Sequence, residues 1–118
     1  SAQQLIAWLA ERAEQWQQAG LKPAQIIFDP GIGFAKNAVQ NLSLIKSTAL
    51  LRGQGFRLLV GHSRKSFMSS FTQAQAADRD METLGLSLAM CQQGVDILRV
   101  HDPLNHIRAY RAWAHAQN

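Results

Sequence analysis

The stretch FRLLVGHSRKS, residues 56–66, decides how the rest of the chain is read. Its first half is a short apolar run interrupted only by Arg57 and closed by Gly61. Such a run predicts a strand buried on both faces. Its second half sets Arg64 and Lys65 side by side between Ser63 and Ser66. A short helix is expected to open at Ser66, which places the hydroxyls and cations in a strand-to-helix turn. Two accounts fit that turn. It is either a solvated loop or an anion-binding mouth, where helix N–H groups and the positive end of the dipole favour negative charge. Adjacent charges in extended backbone cannot face one way, so Lys65 is expected inward and Arg64 outward or in a structural pair.

The same unit recurs on both sides. Upstream, AQIIFDPG (residues 24–31) packs Ile26, Ile27 and Phe28 before the turn residues Asp29, Pro30 and Gly31. Downstream, VDILRVHD (residues 95–102) reads as a third strand. Helical periodicity fills the gaps. Leu5, Leu9 and Trp16, with Ile6 and Ala13, share one side of the first segment; Trp8 widens the stripe and Gly20 stops it. Leu42, Ile45 and Ala49 fall in helical register before Gly53, and Leu84, Leu88 and Cys91 before Gly94. Asp102 offers an N-cap with Pro103 at the first helical position, and Leu104, Ile107 and Tyr110 carry the last helix. Helices alternating with buried strands predict an α/β protein with three parallel strands and flanking helices, joined by right-handed crossovers. A small open doubly wound domain would fit this order, but a chain that opens inside a helix is better explained as a section of a TIM (β/α)8 barrel, one partial domain over residues 1–118.

Composition narrows the function classes. The 118 residues are 47% hydrophobic and 17% charged, as a packed globular chain requires. Twelve Lys and Arg against eight Asp and Glu give a net charge of +4. The cations are scattered and form no basic run, so no nucleic-acid stripe is expected, while a small phosphorylated ligand fits. Cys91 is the only cysteine, which excludes an internal disulfide and a cysteine metal site. It reads as a small hydrophobe on a buried helix face. No apolar run reaches membrane-spanning length and no signal peptide opens the chain, so a cytoplasmic protein is the expectation.

The unusual polar residues all follow strands, where ligands bind in parallel α/β proteins. Asp29 shares a face with Ile27 and can accept hydrogen bonds from an amidine-like N–H pair, or serve as a plain turn cap. Gly31 and Gly33 allow a sharp turn, and Phe34 can form an aromatic wall. Lys65 can supply a point charge or bind a carbonyl. Arg99 and His101 alternate with Leu98 and Val100, so they emerge together; a guanidinium beside an imidazole suits phosphate oxygens. The alternative is an Arg99 ion pair and a hydrogen-bonded core His101. His62 lacks such a context, and His106 and His115 are expected on helix surfaces.

In this order and spacing, DPGIGFAKN (29–37), VGHSRKS (60–66) and LRVHD (98–102) resemble the C-terminal half of dihydropteroate synthase, from about Ile26 to the last helix. Ala35 and His62 are departures that remove no functional group. The resemblance implies a (β/α)8 barrel that joins p-aminobenzoate to 6-hydroxymethyl-7,8-dihydropterin pyrophosphate and releases pyrophosphate with Mg²⁺. The chain would then run from the fifth barrel helix to the eighth. It implies that Asp29 and Lys65 bind the pterin. Phe34, Lys65 and Ser66 would form the p-aminobenzoate pocket, and Arg99 and His101 would hold pyrophosphate. The metal's protein ligand would come from the first barrel strand, outside this chain. A segment with about half the binding surface is expected to be inactive alone and to self-associate, most simply as a homodimer. Two other readings compete: a methyltetrahydrofolate-binding methyltransferase domain of the same superfamily, and a non-catalytic phosphate-binding module.

Overall fold

The computed structural model describes residues 1–117. Helix α1, Ala2–Gln18, starts at a capping box in which Ser1 Oγ accepts from the Gln4 N–H. Its Leu9 is fully buried, and Leu5, Ile6, Ala13 and Trp16 pack against the core as the periodicity predicts. Trp8 stays partly exposed, its ring edge-on to Trp16 with centroids 6.5 Å apart. The chain then runs through strand β1 (Ile27–Phe28), helices α2 (Ala38–Lys46) and α3 (Thr48–Arg52), and strand β2 (Arg57–Val60). Helix α4 (Asp80–Gln92), strand β3 (Ile97–Leu98) and helix α5 (Pro103–Ala116) complete it.

The sheet has the order β1-β2-β3 and both pairings are parallel, as expected. Ile27 pairs with Arg57, and Leu59 with Ile97. Because side chains alternate, Ile27, Asp29, Leu59, Gly61, Ile97 and Arg99 share one face. Phe28, Leu58 and Val60 occupy the other face and are buried beneath the helices. The expectation of strands buried on both faces is therefore corrected. The helices cover one face only, and Ile27 on the opposite face is 46% exposed. The regular ladders are also short, although backbone bonds from Asp96 N to Leu58 O and from Arg99 N to Val60 O extend the β2–β3 pairing.

Three helical registers differ from the apolar periodicity. The segment over residues 41–53 breaks at Ser47, and its buried positions are Asn41, Leu44, Ile45, Thr48 and Leu51, with Leu42 half-buried and Ala49 exposed. In α4 the buried positions are Thr83, Ser87 and Met90, while Leu84, Leu88 and Cys91 are half-buried. Hydroxyls can occupy a core when their hydrogen bonds are satisfied, and these are. Ser87 Oγ lies 2.8 Å from the Thr83 carbonyl oxygen and 2.9 Å from His62 Nε2. In α5, Asp102 does cap the helix, accepting from Asn105 N at 3.2 Å with Pro103 next in line. Leu104, Ile107 and Tyr110 nevertheless remain exposed, because no described element covers that face.

Candidate active site

The three strand ends gather on one side of the sheet. At the end of β1, Asp29 Oδ1 accepts from the Gly31 N–H at 2.9 Å, which makes the residue a turn cap. Its other oxygen has no hydrogen-bond partner among the described residues and the residue is exposed. The following loop is held from beneath. Ile32 is fully buried, and the buried Asn41 accepts from the Gly33 N–H at 2.8 Å. Lys36 Nζ donates to the carbonyls of Gly31 and Phe34 at 2.9 and 3.0 Å.

Lys65 crosses from the end of β2 to this loop. Its Nζ donates to the Ile32 carbonyl at 2.5 Å and lies 4.7 Å from the centroid of the exposed Phe34 ring. Gly33, at φ +89°, leaves room for the passage: a Cβ there would sit 2.6 Å from Lys65 Cδ. Desolvation lowers the Lys65 pKa from its ordinary value; the Arg99 charge adds to this, and the Asp29 carboxylate opposes it.

Arg64 points away, as the adjacent charges require. Its Nε and Nη2 donate to Asp80 Oδ1 and Oδ2, each at 2.9 Å, so the charge is spent in a structural pair with α4. That pair raises the Arg64 pKa and lowers that of Asp80. Arg64 sits at φ +60°, a left-handed conformation uncommon outside glycine. Arg79 Nη1 donates to the Arg64 carbonyl at 3.0 Å, and the Arg64 N–H reaches Thr83 Oγ1 at 3.1 Å. The kink is thus bonded on both sides, and it separates the directions of Arg64 and Lys65.

From β3, Arg99 lies across the end of β2. Gly61 stands opposite it, and a Cβ at Gly61 would collide with Arg99 Nη2. A side chain at this position would displace the end of Arg99 from the cleft, so glycine here serves that side chain and not a turn. His101 meets Ser63: its backbone N–H donates to Ser63 Oγ at 3.1 Å, and its Nδ1 lies 2.6 Å from the same oxygen. Gly61, Ser63, Lys65, Arg99, Val100 and His101 line one open cleft of about 290 Å³. Lys65, Arg99 and His101 are therefore brought together, with Asp29 and Phe34 beside Lys65.

Ser66 does not line this cleft. It is exposed and opens a five-residue 3₁₀ helix, Ser66–Ser70, instead of an α-helix. A single 3₁₀ turn supplies little dipole, so the expected helix-terminus anion site is corrected to one built from side chains. Of the other imidazoles, His106 alone departs from expectation. His62 is fully buried behind the cleft, with Nε2 at 3.1 Å from the Thr83 carbonyl oxygen. His106 is half-buried and not a surface residue, with Nε2 at 2.8 Å from Ser87 Oγ. His115 is exposed as expected.

Sequence reasoning placed Gly61 and Ser63 in the candidate turn without assigning either a role in the cleft, and it missed Asp80 and Asn41. Gly61 had a visible signal, since it interrupts the strand two residues before Ser63 without any turn dipeptide. The partner of Ser63 had none, being 38 residues away. Among the described residues no group of three or more His, Cys, Asp or Glu side chains could hold a metal ion. The described residues thus offer no such cluster for a protein-held Mg²⁺. No described helix is long and apolar enough to cross a membrane.

The arrangement offers two cations and an imidazole to an anion, beside a carboxylate and an aromatic ring suited to a flat heterocycle. Comparison with known proteins is in keeping with that chemistry. The model of the family described as "Pterin binding enzyme" matches residues 1–101. The folate synthesis bifunctional protein of Chlamydia caviae is 45% identical over 102 residues, covering 86% of this chain and 23% of that protein. The dihydropteroate synthase of Xanthomonas albilineans, solved in complex with 7,8-dihydropteroate, superposes with a TM-score of 0.92 at 28% identity. The match covers 98% of this chain and 46% of that one. The Anaplasma phagocytophilum dihydropteroate synthase with bound 6-hydroxymethylpterin-monophosphate gives a TM-score of 0.90 at 34% identity, over 98% of this chain and 45% of that one. The chain spans less than half the length of each of these three.

Proposed function

The chain belongs to the pterin-binding enzyme family, and from that premise we propose that it is the C-terminal portion of a dihydropteroate synthase barrel. The reaction joins p-aminobenzoate to 6-hydroxymethyl-7,8-dihydropterin pyrophosphate and expels pyrophosphate. What supports this reading is the convergence of Lys65, Arg99 and His101 on one cleft at the strand ends, beside Asp29. The bond from the pterin methylene to the leaving oxygen breaks as negative charge grows on the pyrophosphate. Cations already in position stabilise that charge without reorganising. Arg99 offers a planar fork to the phosphate oxygens and His101 a single ring N–H. Asp29, through its unbonded oxygen, accepts from the amidine edge of the pterin and favours the positive charge left on the ring. Lys65 borders both the pterin and the aminobenzoate, and Phe34 walls the latter. Ser66, exposed next to Lys65 in the chain, is assigned to the aminobenzoate carboxylate. The aniline nitrogen attacks the methylene and loses its proton to solvent, so no covalent nucleophile is needed.

The test uses a complete barrel carrying this segment. Arg99→Ala and His101→Ala are each expected to weaken binding of the pyrophosphate-bearing pterin. The Arg99 loss should be about tenfold or more, the scale of one charge-assisted hydrogen bond. Unchanged pyrophosphate affinity in both variants removes the anion site. Binding of methyltetrahydrofolate in preference to the pyrophosphate substrate moves the chain to the methyltransferase reading, in which the two cations have no partner.

A further inference from the structure

We infer that Ser63 is a positioning residue that fixes the tautomer of His101 and so turns its Nε2–H toward the anion. This rests on the reading of the cleft as a pyrophosphate site, and it follows from counting hydrogens. A serine hydroxyl has one hydrogen and two lone pairs. The His101 backbone N–H can only donate, so Ser63 Oγ accepts at 3.1 Å. The same oxygen is 2.6 Å from His101 Nδ1. If Nδ1 carried the hydrogen, Oγ would accept twice and its own hydrogen would need a further acceptor. Ser63 is buried, and no other acceptor bonds its hydroxyl among the described residues. Stranding a buried hydroxyl hydrogen is costly. The hydroxyl therefore donates to Nδ1, and the neutral imidazole carries its hydrogen on Nε2. That nitrogen has no protein partner among the described residues, and His101 lines the cleft with Lys65 and Arg99.

The consequence is a division of labour. Arg99 and Lys65 bring charge to the cleft, while His101 brings a donor of fixed direction. Without the serine the ring can place its hydrogen on either nitrogen and can rotate about χ2. Half of those arrangements present a lone pair to a phosphate oxygen, which repels it.

The experiment is nitrogen-15 NMR of the imidazole rings in the 118-residue chain at a pH where His101 is neutral, followed by titration with inorganic pyrophosphate. Wild type should show an unprotonated Nδ1 and a protonated Nε2 at His101. Ser63→Ala should give mixed tautomers and bind pyrophosphate roughly three- to tenfold more weakly, the worth of one net hydrogen bond. Ser63→Thr, which keeps the hydroxyl, should restore the tautomer. A protonated Nδ1 in wild type overturns the inference, as does a Ser63→Ala spectrum with the wild-type tautomer; the first needs no variant to fold. The tautomer is read without ligand, so it is separate from the anion-site reading. If Arg99→Ala leaves pyrophosphate binding unchanged while the tautomer is as stated, the site reading falls and the role of Ser63 in orienting His101 stands.

Discussion

Asp29 already uses one oxygen to close its own turn, through the 2.9 Å bond from the Gly31 N–H, and leaves the other without a hydrogen-bond partner among the described residues. An asparagine there can preserve the turn with its carbonyl oxygen while presenting an amide to the cleft. Asp29→Asn in the complete enzyme is thus expected to spare stability and to weaken pterin binding by about 1.5–3 kcal/mol, one charge-assisted bond. Calorimetric titration with the pterin checks this; normal affinity confines Asp29 to the turn. His62 makes a different kind of prediction. Burial pushes its pKa down from 6.5 to about 4, partly offset by the Thr83 carbonyl. Between those values the unfolded chain takes up a proton that the folded chain refuses. Stability therefore falls as pH drops through that window and levels off below it. The loss should approach about 3 kcal/mol, read as urea unfolding midpoints from pH 7 to 4, and His62→Asn should lack that share. Some of this was legible in the sequence. The alternation in LRVHD placed Arg99 and His101 together, and the adjacency of Arg64 and Lys65 forced them apart. The burial of His62 was not legible, because what makes it tolerable is a pair of acceptors on a helix more than twenty residues later.

The elements explain where periodicity succeeded and where it failed. Short apolar runs closed by turn residues located all three strands, and α1 showed its buried stripe in Leu5, Leu9 and Trp16. Helix α4 misled, because its core-facing positions are Thr83 and Ser87, which read as polar until their partners in the β2 turn are known. The same turn is tied to α4 by Arg64 and Asp80, whose side chains are about one-third exposed. Exposed ion pairs are weak, yet this one is bidentate and grips a backbone kink. A double-mutant cycle of Arg64→Ala and Asp80→Ala should return a small favourable coupling in urea unfolding. Zero coupling would mean that the kink is held by Arg79 and Thr83 alone. The α5 surface follows the same logic in reverse. Leu104, Ile107 and Tyr110 have helical spacing, but spacing states only that a face is apolar, not that anything covers it.

At the scale of the whole molecule, the two layers leave β1 and β3 as bare edges, and the aliphatic row of Ile27, Leu59 and Ile97 faces outward. Unpaired strand edges beside apolar surface invite pairing with another chain. The 118-residue polypeptide is expected to associate with itself, most simply as a symmetric dimer, and to turn over no substrate alone. Sedimentation velocity over a concentration series checks the first point, and a persistent monomer overturns it. The barrel portion was legible from strand order and the three motifs, whereas the one-sided burial was not, since a sequence carries no record of which face lacks its covering layer. The open row has a practical corollary for reconstitution. Bare edges beside an apolar face offer an acceptor for a second polypeptide that brings strands of its own. If the remaining strands of such an enzyme are supplied in trans, they should compete with self-pairing and convert homodimers into one-to-one heterodimers. Recovered turnover would then report complementation directly, with each half contributing its own strand ends.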